Sequence, residues 1–423
     1  MSQYGKKLTP HRRMKTPRGV KGERKTIVIT HNPSTIAAGQ NLIIKFPPLG
    51  PDDVIVPGSV RLAFKLELEG GSDDNRSIYN NLARNLIREI NVRLQGHTII
   101  CERESDVFHN FKYNWLDPRT MQNMAYQGIE SPNISKLRLG AGDASDGANS
   151  GKDKNVADAY GNRYSIPLDI ELFNTHHPFY PSGLKSPLTY ELTFNDHGKV
   201  VKATDDTAEY SISDLALEYE VVTNKELAQT IRTMHTQKVY YFFDRIHTHE
   251  VRSVNKSDTL WNVHINQPIR SLKGILMLWK RPSVKNPQQF YNPKISKTTI
   301  TVEGRPNQLY AQGLKMYQHW HEIVKYFGDS HDTEHGRGVM KDMSLYWLTL
   351  EEYLSTNYGL WLDFRSTDDN SLHGTGRKIS ENGGISIQMT RDAESSGDLT
   401  MYVFLIMDAQ LTIEDGNFGS LMY

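Results

Sequence analysis

Residues Ile90–Gly96, INVRLQG, and Thr298–Gly304, TTITVEG, carry one pattern at two places 208 positions apart. In each, apolar side chains alternate with polar ones and the run stops at a glycine: Val92 and Leu94 before Gly96, Ile300 and Val302 before Gly304. Side chains of an extended chain point to opposite faces in turn, so this alternation marks a strand with one buried face, and the glycine supplies a turn. A second, unlike feature repeats at nearly the same distance. Phe108, Phe111 and Trp115 recur at spacings of three and four, the apolar stripe of a helix, and Tyr317, Trp320 and Val324 match them at an offset of 209. Two features sharing one spacing point to a fold made twice.

Working outward, alternation is the commonest signal from Thr26 onward: Val60, Leu62, Phe64, Leu66 and Leu68, then Leu188, Tyr190, Leu192 and Phe194. Looser pairs extend the repeat. Leu42, Ile44 and Phe46 correspond to Trp261, Val263 and Ile265; Tyr164, Ile166 and Leu168 to Tyr346, Leu348 and Leu350; Leu215–Val221 to the alternation from Met401 to Ile413. Many short strands between Gly, Pro, Asn and Asp clusters favour an antiparallel sandwich or barrel over an α/β sheet. Two helices interrupt it. Ser105 is expected to cap the one holding Phe108, which Pro118 must end, and NKELAQTIRTM, from Asn224 to Met234, reads as a linker. The division expected is an arm at 1–25, a first β domain at 26–223, the linker helix at 224–236 and a second domain at 237–423. The Gly, Asp, Asn and Ser-rich stretch Leu139–Asn162 is a loop insertion into the first copy.

The chain has 423 residues, 49 basic and 49 acidic, and a single cysteine, Cys101. That length buries two cores without staples, and one thiol excludes an internal disulfide framework and suggests a reducing compartment. No apolar run approaches the roughly 18 residues of a membrane span, and the basic amino terminus lacks a secretory signal's apolar segment, so the expectation is a soluble chain not exported by that route. Charge is uneven despite the balance. Lys6, Lys7, Arg12, Arg13, Lys15, Arg18, Lys21, Arg24 and Lys25 face one acid, Glu23, in a stretch with almost nothing apolar to bury. It reads as a solvated arm, or as one lying on an acidic or phosphate-bearing neighbour: protein, membrane or nucleic acid.

Catalytic patterns fail one by one. His176 and His177, in SIPLDIELFNTHHPFYPSGL, are adjacent on an extended backbone and point apart, with no second ligand nearby. With Phe179 and Tyr180 between Pro178 and Pro181, they read as a contact surface between domains or subunits. The His-x-His pairs His247/His249 and His319/His321 lack the following glutamate of a cupin metal site, and residues two apart on a helix diverge by about 200°. His331, Asp332, Glu334 and His335, in GDSHDTEHGRG, have the composition of a solvated loop, with a calcium or interfacial role as the alternative, and lack EF-hand spacing. No phosphate loop, nucleotide fingerprint or Gly-x-Ser-x-Gly elbow is present. In the run Tyr240–Phe243, alternate residues such as Tyr241 and Phe243 face one side, which places them at an inter-domain or inter-subunit seam. The expectation is no catalytic residue, no cofactor and no metal.

The segments REINVRLQGHTI, YSIPLDIELFNTHHPFYPSGLKSPLTYELTFND, TTITVEGRPNQLYAQGLKMYQHWHEIVKYFG and LYWLTLEEYL, taken in this order, resemble the double jelly-roll major capsid proteins. That lineage takes in adenovirus hexons, tailless icosahedral bacteriophages, virophages and Polinton-like viruses. The resemblance runs from roughly Lys25 to Tyr423 and lies in pattern and order rather than in any catalytic signature. It implies an all-β chain of two tandem eight-stranded antiparallel jelly rolls, with short inserted helices and the basic N-terminal arm. Three such chains would form a pseudo-hexameric homotrimer, and these capsomers would tile an icosahedral shell around double-stranded DNA. Implied partners are neighbouring capsomers and minor or penton capsid proteins, with the arm touching an internal membrane or the genome. The implied location is the virion, assembled inside the host cell. A vertex or minor capsid protein, which commonly has a single roll, and a non-viral two-domain jelly-roll carbohydrate-binding protein or enzyme are the alternatives.

Overall fold

The computed structural model describes residues 23–30, 35–46, 49–56, 58–69, 77–115, 124–128, 163–168, 172, 180–202, 209–328, 348–367, 372–380 and 383–423. Eight principal strands follow one another in the first half: β1 (Glu23–Thr30), β2 (Asn41–Lys45), β3 (Arg61–Glu69), β4 (Ile87–Leu94), β5 (His97–Glu102), β6 (Arg163–Pro167), β7 (Leu188–Phe194) and β8 (Glu209–Thr223). They form two antiparallel sheets, in the orders β1-β8-β3-β6 and β2-β7-β4-β5. Apart from the β4–β5 hairpin, each strand lies in the other sheet from the strand before it. That is the topology of a jelly roll.

The second half repeats it. Its strands are β9 (Lys238–Asn255), β10 (Leu260–Ile265), β11 (Ile269–Lys280), β12 (Ile295–Val302), β13 (Arg305–Pro306), β14 (Gly359–Asp363), β15 (Ile385–Arg391) and β16 (Asp398–Glu414). Sheet orders are β9-β16-β11-β14 and β10-β15-β12-β13. Adding eight to every strand of the first roll gives the second. A further strand, β17 (Asn417–Met422), turns back on the end of β16.

The opening motif accounts for this equivalence in detail. β4 buries Ile87, Ile90, Val92 and Leu94, and β12 buries Ile295, Thr298, Ile300 and Val302 at the same four steps. Leu94, Val92 and Ile90 oppose Leu188, Tyr190 and Leu192 on β7, while Val302, Ile300 and Thr298 oppose Ile385, Ile387 and Met389 on β15. Both strands end in two successive left-handed residues, Gln95 (φ 53) and Gly96 (φ 81), then Glu303 (φ 52) and Gly304 (φ 76). A two-residue turn of this hand matches the twist of the strands it joins.

Several expectations need correction. By sheet position the partner of β6 is β14, Gly359–Asp363, not Tyr346–Leu350. Tyr346 lies outside the described residues, and Leu350 opens a helix, Leu350–Ser355. The reason is local: the Thr349 hydroxyl accepts from Glu352 N at 3.2 Å while the Glu352 carboxylate accepts from Thr349 N at 2.8 Å, a capping box. Ser105 is not a cap. It is the first residue of α1 (Ser105–Tyr113), whose N-cap is Glu104 in left-handed backbone, and its hydroxyl donates to Glu102 at 3.3 Å. The linker helix, α2 (Lys225–Thr236), is capped by the Asn224 side chain accepting from Leu227 N at 2.8 Å and runs two residues past Met234. β1 begins at Glu23, inside the stretch read as arm; the insertion Leu139–Asn162 lies outside the described residues. Among the described residues, no helix is long and apolar enough to cross a membrane.

By its contacts the chain divides into two compact units, and neither is a continuous stretch. The first comprises Met1–Cys101, Gln122–Phe243 and Gln410–Met422; the second Glu102–Met121, Asp244–Ala409 and Tyr423. Within the second, α1 is a core element although it comes from the first half of the sequence. Phe108 meets Phe404 at 5.6 Å between ring centroids, Phe111 meets Phe290 at 5.4 Å, and Trp115 stacks on Trp320 at 5.5 Å. Each buried aromatic of this kind stabilises by about 1.5–3 kcal/mol. Within the first unit, the β16–β17 turn is held by Lys185 N donating to Gly416 O and Gly416 N donating to His235 O, both at 2.8 Å. Gln95 Nε2 donates to Asn417 Oδ1 at 2.6 Å, and Phe418 stacks on His97 at 4.3 Å.

A Cβ added at Gly96 or Gly304 meets nothing within 4 Å, so the cost of alanine at either is the left-handed backbone alone. Gly96→Ala and Gly304→Ala are each expected to lower stability by about 1–2 kcal/mol. Urea unfolding of each variant checks this, and equal losses are the expected result.

Candidate functional site

The residues singled out from the sequence fall into two groups. His176, His177 and Phe179, the arm cations Lys6, Lys7, Arg12, Arg13, Lys15 and Arg18, and the His331–His335 cluster lie outside the described residues. Tyr180, Tyr241 and Phe243 are buried within the first unit, which leaves them no area to offer a neighbouring subunit. Tyr180 packs with Val54, Leu227, Ala228 and Ile231 on α2. Burial pushes its hydroxyl up to about 12.

His235, which sequence reasoning missed, completes this packing. Its Nδ1 lies 2.8 Å from the Ile231 carbonyl and its Nε2 2.9 Å from the Tyr241 hydroxyl. Nδ1–H therefore donates to the carbonyl, and Nε2 accepts from the tyrosine. Gly183 is required beside it, since a Cβ there would fall 2.3 Å from Nδ1. Leu227, Ile231 and His235 sit four apart, so extending the helical periodicity by one step past Ile231 was the signal.

In the second unit His319 and His321 share one helix, Met316–Ile323. His319 is fully buried, its Nδ1 2.8 Å from the Tyr358 hydroxyl, and burial holds its imidazole down to about 4. A neutral ring hydrogen-bonded to tyrosine is a packing histidine.

The densest polar chemistry among the described residues surrounds Lys273. Its side chain is 1% exposed. β11 jogs between Leu272 and Gly274 against β16, a bulge that redirects the intervening lysine. Gly274 allows the jog, because a Cβ there would lie 2.1 Å from the Trp361 ring. Lys273 Nζ then reaches Asp244 Oδ1 at 2.6 Å and Asp408 Oδ1 at 3.2 Å. Asp408 also accepts from the Ser271 hydroxyl and from Gly374 N at 3.0 Å, with His373 Nδ1 at 3.3 Å. Burial pushes the Asp408 carboxyl up, but the His373 hydrogen bond, the Lys273 charge and the Ser271 hydroxyl outweigh it and hold it at about 2.

Asp244, His373 and Asp408 have ligand atoms within 4.8 Å of one another, a spacing a metal could use. The donor set does not fit one, however, since the ammonium already answers both carboxylates and a cation would have to displace it. The cluster is an ion-pair network that fixes three strands. Its sequence signal was a lone charge in each of two apolar runs: Lys273 in LKGILMLW and Asp408 in MYVFLIMDAQL.

Apolar side chains also stand exposed in each unit: Val28 (57%) and Ile43 (53%) in the first, Leu309 (60%) and Tyr317 (77%) in the second.

Comparison with known proteins gives the fold a precedent. No protein-family profile matches the sequence, and no curated protein matches it. Solved structures do. The PBCV-1 virus capsid protein superposes with a TM-score of 0.59 at 11% identity, over 97% of this chain and 99% of that one. The Sputnik virophage structure gives 0.55 at 12%, over 97% and 90%, and the mavirus major capsid protein 0.53 at 13%, over 94% and 90%. The chain has the double jelly-roll fold of these capsid proteins.

Two outcomes follow from the buried charges. Lys273→Met leaves two carboxylates facing a core without their ammonium and is expected to cost about 3–5 kcal/mol in chemical denaturation. Acid acts through His319 and Asp408 in separate windows. His319 has a folded value near 4 against 6.5 unfolded, so the unfolded chain binds the extra proton, and up to about 3 kcal/mol is lost as pH falls from 6.5 to 4. Asp408 stabilises above its ordinary value of 3.8 and loses about 2 kcal/mol as pH falls through about 2. Stability measured against pH checks both; His319→Gln should reduce the loss in the first window, to which the buried His247 and His235 also contribute, and leave the second unchanged.

Proposed function

We propose that the chain is a viral major capsid protein, a structural component of the virion without catalytic activity. Three copies form a pseudo-hexameric homotrimer, and these capsomers tile an icosahedral shell. The observation that carries the reading is the strand-for-strand duplication, β1-β8-β3-β6 becoming β9-β16-β11-β14 and β2-β7-β4-β5 becoming β10-β15-β12-β13. A three-fold assembly of a doubled fold presents six similar faces, so one gene product fills a six-sided lattice position. The capsid proteins of PBCV-1, Sputnik and mavirus share the fold over nearly the whole chain, which supports the assignment.

In this reading the rolls are 26–223 and 237–423, with 224–236 joining them. The exposed apolar side chains are area for neighbouring subunits and capsomers. His176, His177 and Phe179 belong to such a contact. Minor or penton proteins are further partners, and Lys6, Lys7, Arg12, Arg13, Lys15 and Arg18 lie against an internal membrane or the genome.

Purified protein is expected to scatter light as three times 48.3 kDa and to show a hexagonal outline in negative stain. A monomer at micromolar concentration, or five-fold particles, would overturn the proposal.

A further inference from the structure

The two helices that the repeat places at matching positions differ in what covers them. α1 follows the β4–β5 hairpin, and α3 (Met316–Ile323) follows its counterpart, β12–β13. In α1 the stripe Phe108, Phe111 and Trp115 is closed, at 3% exposure or less, because this helix is a core element of the second unit although the first half of the chain supplies it. The matching stripe of α3 is open: Tyr317 is 77% exposed, and Trp320 and Val324 are half-buried. α3 turns His319, Glu322 and Ile323 inward, and at 100° per residue Tyr317 lies on the opposite side.

Further apolar groups stand open in the same neighbourhood. α4 (Leu350–Ser355) touches α3 through Tyr353 and Trp320, 5.1 Å between ring centroids. It exposes Leu350 (45%) and Leu354 (36%), which are four apart and share a side. Leu309 (60%) precedes Tyr310, whose hydroxyl donates to Glu322 of α3 at 2.9 Å. With Met316 and Tyr317 these side chains leave on the order of 500 Å² of apolar surface in water, at the upper end of what a lone protein shows. That area is close to the apolar share of the roughly 800 Å² that a stable interface takes from each partner.

We propose that the first roll of a second copy of this chain covers α3 and α4. The repeat selects that occupant. The helix supplied by the first roll is completed within the second unit, so the equivalent helix of the second roll calls for the next roll in the series. One chain holds two rolls, and the next is the first roll of another copy. Such a contact joins unlike surfaces and closes into a ring when the rotation allows. It presupposes the trimer proposed above and names the face by which the copies meet.

The test replaces Tyr317 in the full chain with the photoreactive p-benzoylphenylalanine. On irradiation a covalent dimer is expected on a denaturing gel, its cross-link mapping to the first roll of the second copy. A cross-link confined to one chain, as to its own residues 329–347, would overturn the proposal. Light scattering separates this contact from the trimer itself. Tyr317→Lys combined with Leu354→Lys should raise the trimer's dissociation constant about tenfold or more while leaving the circular dichroism unchanged. Leu260→Lys, at an exposed apolar residue of β10, should leave the constant where it was. A double variant that trimerises as tightly as the parent, or no more weakly than Leu260→Lys, sinks this contact and spares the trimer; a monomeric parent chain sinks both.

Discussion

Burial of every second side chain between two facing sheets is the constraint on which the rest of this structure depends. The period of a strand is two, so a slip of one residue would carry the whole apolar set of β4 or β12 to the outside. The left-handed turns at Gln95–Gly96 and Glu303–Gly304 prevent that slip by fixing where each strand stops. With register set, Leu94 faces Leu188 and Val302 faces Ile385, and the same sandwich closes twice. Everything else, including the inserted helices and the buried charges, is fitted to that frame.

How much of this could be read in the sequence depended on whether a strand has one buried face or two. β7 throughout, β4 from Ile90, β8 from Leu215 to Val221 and β12 from Thr298 bury alternate residues, and these stretches were legible. β11 buries Leu272 to Trp279 without a break, so its alternation vanishes, and its match to β3 could be found only from sheet position. β14 is buried at all five positions and was missed for the same reason, its role passing to a stretch that a capping box turns into helix. The buried charges divide along a similar line. Lys273 and Asp408 are single charges in apolar runs, a signal the sequence reading passed over, and nothing in either run showed that a bulge brings them together.

Those charges sit uneasily with an interior otherwise built of aliphatic and aromatic groups. A buried ion pair seldom stabilises more than well-packed apolar residues of the same volume would. Lys273, Asp244 and Asp408 are better understood as a device for register. The three lie on β11, β9 and β16, and any shift among those strands would leave a charge unpaired in the core. His235, held between the Ile231 carbonyl and Tyr241, acts similarly at lower cost, being neutral.

The sharing of segments between the compact units bears on how the protein is made. A ribosome delivers the chain from its amino end, and domains generally fold as they emerge. The first unit, however, includes Gln410–Met422, where Asn417 meets Gln95 and Phe418 covers His97. The unit that holds most of the first half is therefore complete only once Gln410–Met422 has been made.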